Sequence, residues 1–302
     1  MPDASARLQP DEAGLSGVRR VLQEWIAGAA DSLHKKKISD ANIHDARKRL
    51  KRSRAALRLL RVAIGEIAYR RENIALRDAA RPLGRARDSR VSIAALDDLL
   101  ERYQPAMRLL RLDRFRRRLR QEQAAARQEL TLALASRERK TLREVNVRSQ
   151  RWNIERTKGN DWDIVGSGLQ RVYRHGRRAM KVARSRNTVD LHAWRKQVKY
   201  LWHQLQLLEP VWPGPLQELA GQTHKLADHL GDDHDLAVLR AEITSHADEF
   251  VGADYDALLA ILDRRRKQLQ NKAFKLGAGI YEEKPRRFVA RIGRYWRLWR
   301  RE

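Results

Sequence analysis

Ile43-His44-Asp45-Ala46-Arg47-Lys48-Arg49-Leu50-Lys51 returns as Leu191-His192-Ala193-Trp194-Arg195-Lys196-Gln197-Val198-Lys199, 148 residues further along. The likeness continues downstream, where Leu57 and Leu60 correspond to Leu205 and Leu208. A second pair, Leu83-Gly84-Arg85-Ala86-Arg87-Asp88-Ser89-Arg90-Val91 and Leu230-Gly231-Asp232-Asp233-His234-Asp235-Leu236-Ala237-Val238, lies at an offset of 147. Segments that keep nearly the same offset indicate an internal duplication. The chain therefore reads as a loose tail over residues 1–13, a first helical unit over 14–147, a connection over 148–163 that lacks apolar periodicity, and a second unit over 164–302.

Apolar residues recur at helical spacing almost throughout, as in Leu96, Leu99, Leu100 and Tyr103, or Leu201, Leu205 and Leu208. No stretch alternates as a strand would. The 16 glycines and 8 prolines cluster where helices should stop, among them Gly65, Pro82 to Gly84, Pro105, Pro210 to Pro215, Gly231 and Pro285. The expectation is all-α, with about ten to twelve helices of roughly 15–28 residues, arranged by short antiparallel connections as two pseudo-symmetric four-helix bundles around a basic cleft. Within it, Gly84 and Gly231 read as helix ends, with the acid that follows steadying the next helix. Asp40 or Asn42, and Asp190, read as N-caps of the two duplicated helices.

Composition sets the class of partner. The 302 residues hold 64 Lys+Arg against 38 Asp+Glu, a net charge of +26 with histidine neutral, yet 42% are hydrophobic. A folded chain this basic calls for an anionic partner. The absence of cysteine excludes disulfide scaffolds, thiolate metal sites and cysteine nucleophiles. Met1 to Gln9 lacks a secretory pattern, and no apolar run approaches the ~18 residues of a membrane span, so a cytoplasmic location is expected. The end of the chain, Arg294-Tyr295-Trp296-Arg297-Leu298-Trp299-Arg300-Arg301, reads as a final helix packing its tryptophans inward, or else as a basic amphipathic helix suited to acidic lipid.

At about 100° per residue, His44, Arg47, Lys51, Arg54 and Arg58 fall within a sector of about 80°, beside the apolar face of Ile43, Ala46, Leu50, Leu57 and Leu60. His192, Arg195 and Lys199 repeat the column, flanked by Lys196 and His203, while Trp202 and Gln206 replace its last two cations. Side chains at such spacing climb a helix by about 5 Å per turn and can meet successive phosphates of an extended polymer. Arg offers a planar fork, Lys a compact charge, and His a donor whose charge grows as pH falls. A charge run can equally be a solvated helix face, and His44 and His192 can equally be helix-start residues; recurrence in both halves favours the ligand reading.

Two enzyme readings have less support. His229, Asp232, Asp233, His234 and Asp235 could form a metal site for hydrolysis of phosphate polymers, but the first half carries Arg85-Ala86-Arg87-Asp88 at the equivalent place. Neither a G-x-x-x-x-G-K-[ST] loop nor a G-x-S-x-G elbow occurs. RNA or DNA binding remains the main rival to a simpler polyanion, since the charge serves any phosphate backbone.

Taken in order, His44 through Arg54, His192 through Lys199 and the two Leu-Gly-x-x-Arg/His-Asp segments resemble the CHAD domain, the histidine-bearing α-helical domain family, over roughly Leu15 to Arg300. The resemblance implies two four-helix bundles related by a pseudo-two-fold, a basic surface that binds inorganic polyphosphate, association with polyphosphate granules, and no catalytic step or cofactor. By position it places ligands on His44, Arg47, Lys51, Arg52, Arg54, His192, Arg195 and Lys199. Lys48, Arg58, Lys196 and His203 join them from the columns. Arg19, Arg20, Arg87, Arg171, Arg174, Arg178, Lys181 and His234 are expected at the periphery, with Asp88 and Asp235 holding basic side chains in place. Tyr200 and Trp202 depart from the family pattern, which usually has basic residues there. Many relatives carry a triphosphate-tunnel domain with a Glu-x-Glu-x-Lys signature; no such signature occurs here, so any reaction is expected to come from a partner.

Overall fold

A computed structural model describes residues 7–34, 38–104, 110–128, 132–154, 160–250 and 252–300, and side chains throughout these except 85–90, 126–128 and 132–134. Among the described residues there are helices and no strand. The longer ones in the first half are α1 (Gly14–Ser32), α2 (Asp40–Leu59), α3 (Glu66–Ala80), α4 (Pro82–Arg102), α5 (Asp113–Gln128) and α6 (Leu132–Gln150), with a single helical turn, Arg61–Ile64, between α2 and α3. The second half has α7 (Asp161–Val182), α8 (Thr188–Leu208), α9 (Pro213–Ser245), α10 (Gly252–Ile280) and α11 (Pro285–Trp299).

The duplicated helices start earlier than their histidines suggest. Ser39 caps α2 in a capping box: its side chain accepts from the Asn42 amide, and Asn42 accepts from the Ser39 amide. Asn187 caps α8 by accepting from the Val189 amide at 2.8 Å. Asp40, Asn42 and Asp190 thus lie inside the first turns, where their acids favour the positive end of the helix dipole. Gly84 and Gly231, expected as helix ends, are helical instead: Gly84 sits in the first turn of α4 and Gly231 deep inside α9, a single 33-residue helix. The first half breaks the matching stretch in two at Arg81-Pro82, because proline has no amide hydrogen to continue a helix.

Equivalent helices pair in equivalent ways: α1 packs on α2 and on α6, while α7 packs on α8 and on α11. The halves join where α2 meets α7 and α8, and where α4 meets α9. Both buried apolar clusters cross the repeat boundary. The larger takes in Leu22, Ile26, Leu50 and Leu57 together with Val198, Leu205, Leu208 and Trp296. The smaller unites Leu96, Leu99, Phe115 and Leu119 with Leu236, Leu239, Leu258 and Leu262. Of the expected tail, Leu8 is 3% exposed in the larger cluster and Glu12 ion-pairs with Arg20. Helix also enters the expected connection from both sides, with Trp152 and Ile154 buried between. In the last helix Trp296 packs on Trp162 at 5.2 Å, the inward arrangement. No described helix is long and apolar enough to cross a membrane.

Candidate functional site

The histidine-led helices α2 and α8 cross in direct contact. The Gln204 amide donates to the carbonyl of Ala55 at 3.0 Å in a buried hydrogen bond that locks their register. Nearby, the Arg58 guanidinium lies 3.5 Å over the Tyr200 ring and Arg54 reaches the same ring at 5.8 Å. Tyr200 therefore serves as a platform for two cations of the other copy, since its ring face attracts them. Asn73 of α3 accepts from Arg54 at 3.2 Å and from Arg58 at 3.4 Å, and Arg58 also donates to the Arg54 carbonyl. These hydrogen-bond partners are neutral. Burial, opposed by the two nearby tyrosines Tyr200 and Tyr69, pushes the Arg58 pKa below its ordinary value. Helix α7 completes the crossing: a Cβ on Gly168 would stand 2.6 Å from the Leu59 Cα and 2.7 Å from the Arg58 carbonyl oxygen.

The two repeated motifs meet in each half. A Cβ on Gly84 would lie 3.0 Å from the Arg47 guanidinium, and one on Gly231 would lie 3.7 Å from the Arg195 Nε. The arginine of each His-x-x-Arg-x-x-x-Lys helix thus lies beside the glycine of the neighbouring helix; at Gly84 the missing side chain leaves room for it, while at Gly231 the approach is ordinary contact. This contact, and not helix termination, is what the repeated Leu-Gly provides. Arg49, between the column residues, is turned away: it pairs with Asp45 at 2.8 Å and fills the space above Gly28.

Two histidines of the second half, His192 and His203, are held neutral. His192 stacks on His234 with ring centroids 4.6 Å apart, and its buried Nδ1 has no hydrogen-bond partner. Burial first, then His234, Lys196, Arg195 and Lys199, push its pKa down to about 4. His234 reaches Asp235 at 3.3 Å, so Asp235 steadies the ring on which His192 rests. His203 is buried at 3% exposure with its Nδ1 3.2 Å from the Gln206 side-chain oxygen, and its pKa falls to about 3. Burial is the chief cause, and Arg52, Lys199 and Lys51 add to it. Cations of both copies therefore lie near enough to His203 to lower its pKa. His44, Lys48 and Lys196 are exposed along the outer edge.

A sequence model described as the CHAD domain matches residues 16–244. The chain belongs to the CHAD domain family. The crystal structure of the CHAD domain from the plant Ricinus communis has a similar fold, with a TM-score of 0.55 over 89% of each chain at 15% sequence identity. No curated protein sequence matches the chain.

Within this CHAD chain the peripheral residues divide. Arg171, Arg174 and Arg178 line one face of α7 around His175, whose pKa burial lowers first and these arginines and Arg61 lower further. Lys181 is exposed one turn on. Arg20, by contrast, is bound to Glu12 at 2.7 Å and Glu24 at 2.8 Å, and Arg19 donates to the Trp152 carbonyl at 3.1 Å. Both help anchor the N-terminal segment. The side chains of Arg87 and Asp88 lie outside the described residues. The suggested metal cluster is dispersed by its helix: Asp233 turns inward to Arg266 at 3.0 Å and Gln270 at 2.9 Å, while His234 turns to His192. Among the described residues no group of three or more His, Cys, Asp or Glu could hold a metal ion.

Sequence reasoning missed Asn73, His175 and the role of Tyr200. Tyr200 carried a signal, because the repeat aligns it with Arg52, where an aromatic in place of a cation invites a cation from the other copy. Trp202, the column residue best suited to stack a base, already stacks on His203 at 4.4 Å and lies 4.0 Å from His224.

Proposed function

We propose that this CHAD protein binds linear inorganic polyphosphate along the basic tract where α2 and α8 cross, as a binding module without a catalytic step. One observation carries the reading: the Gln204–Ala55 hydrogen bond and Arg58 lying 3.5 Å over Tyr200 hold the two histidine-led helices together, so their columns border one region, where Lys51, Arg52 and Lys199 all lower the pKa of His203. Arg54 and Arg58 extend it with neutral hydrogen-bond partners, toward the arginines of α7. A polyanion would add countercharge along the tract and relieve the repulsion among these groups. Association with polyphosphate granules follows from such an affinity.

Replacing Arg47, Lys51, Arg195 and Lys199 together with alanine is expected to weaken binding of long-chain polyphosphate by about 100-fold or more, since hydrogen bonds to charged groups contribute over 1 kcal/mol each. Circular dichroism should show unchanged helicity. Unchanged affinity would remove the site. The titration includes single-stranded RNA and ATP as competitors at matched salt; RNA outcompeting polyphosphate would assign the tract to nucleic acid, although Trp202 is already engaged within the protein.

A further inference from the structure

Away from the basic tract, α4, α9 and α10 enclose a cavity of about 340 Å³ lined by Val91, Ala94, Ala95, Leu236 and Leu269, with Asp98, Arg102, Asp232, Asp235 and Arg265 as its charged members. Three of these charges are already used. Asp98 pairs with Arg102 at 3.0 Å, and Asp235 meets the His234 ring at 3.3 Å. Arg265 is different: it is 8% exposed, and its buried Nε has no hydrogen-bond partner. Among the described residues its guanidinium forms no ion pair, and neither does the carboxylate of Asp232, which stands exposed in the same cavity. The two are neighbours without closing on each other; burial and the acids Asp235 and Asp228 push the Asp232 pKa up in spite of Arg265.

A buried guanidinium with no hydrogen-bonded anion is costly, because its desolvation is only partly compensated. What would satisfy it is constrained by the rest of the cavity. A polyanion would meet three aspartates, and a simple cation would leave Arg265 as it is. A ligand carrying both charges meets both needs, and the apolar lining suits an aliphatic body between or beside them. The volume lies at the small end of the ~300–1,000 Å³ typical of ligand pockets. We propose that this cavity binds a small aliphatic zwitterion of the free amino acid class, its carboxylate on Arg265 and its ammonium on Asp232. The inference does not rest on polyphosphate binding, whose proposed ligands are other residues; Asp235, which steadies His234, is the one member common to both regions.

The test is calorimetric titration of the full chain with L-leucine and L-alanine, with acetate and methylammonium as probes of each charge alone. Expected is saturable binding of an amino acid with a dissociation constant of about 1 mM or tighter, with no comparable signal from either half-probe. Asp232→Asn, at the exposed mouth, should weaken it at least about tenfold. Arg265→Met should do the same while the melting temperature holds or rises, since the cation removed has no ionic partner. Should Arg265→Met fail to fold, Asp232→Asn decides alone. No heat from either amino acid at about 10 mM, acetate matching L-leucine, or undiminished binding by Asp232→Asn would each overturn the assignment.

Discussion

At the scale of single residues, Gly84 and Gly231 distinguish packing from function. Alanine at Gly84 should stabilise α4 by about 0.5–1 kcal/mol, because glycine is a poor helix former. Its Cβ, 3.0 Å from the Arg47 guanidinium, would also push that side chain aside. The expected outcome is a higher melting temperature together with several-fold weaker polyphosphate binding. At Gly231 the corresponding contact with Arg195 is an ordinary 3.7 Å, so Gly231→Ala should raise stability and leave affinity nearly unchanged. A second prediction concerns pH. His192 titrates near 4 in the folded chain against an ordinary value of ~6.5, so between these values the unfolded chain holds a proton that the folded chain refuses. His203, near 3, behaves alike. Their contribution to stability is complete above about pH 6.5 and is lost as pH falls toward 4 and 3, which His203→Gln should flatten in a series of thermal melts. A bound polyanion raises the His192 pKa, so binding should take up protons and tighten as pH falls below ~6.5; calorimetry in buffers of different ionisation enthalpy reads this directly.

At the scale of helices, the tract depends on how closely α7 approaches the end of α2. Gly168 faces backbone, not the tip of a flexible side chain, so neither helix can yield to a methyl group without shifting. Gly168→Ala should cost about 1–3 kcal/mol by overpacking, read as a lower denaturant midpoint. Because the shift is transmitted to Leu59 and Arg58, polyphosphate affinity should fall as well. The paired helices also show how the two copies diverged. The first half breaks at Pro82 into α3 and α4, whereas the second runs straight through as α9, so equal sequence motifs serve within unequal helices.

Across the whole molecule, a net charge of +26 dominates behaviour. Like charges repel within the folded chain, so the protein alone should become more stable as salt rises through screening. Polyphosphate should do the opposite: log affinity should fall linearly with log salt, since many contacts release many counterions. A slope shallower than that of a two- or three-charge ligand would mean that only part of the tract is engaged.

Much of this was legible without coordinates. Helical spacing revealed the all-α class; the constant offset of two motifs predicted a duplication, and the angular clustering of His44, Arg47, Lys51, Arg54 and Arg58 predicted a cationic face, because helix geometry converts spacing directly into direction. Contacts between distant segments were not legible. Nothing local says that Gly84 makes room for Arg47, that Tyr200 carries Arg58, or that His203 is sealed inside while Arg20 is spent on Glu12 and Glu24. Periodicity assigns each residue to a face of its own helix, but which faces meet, and which charges are left without a partner, depends on how helices from both halves pack around shared cores.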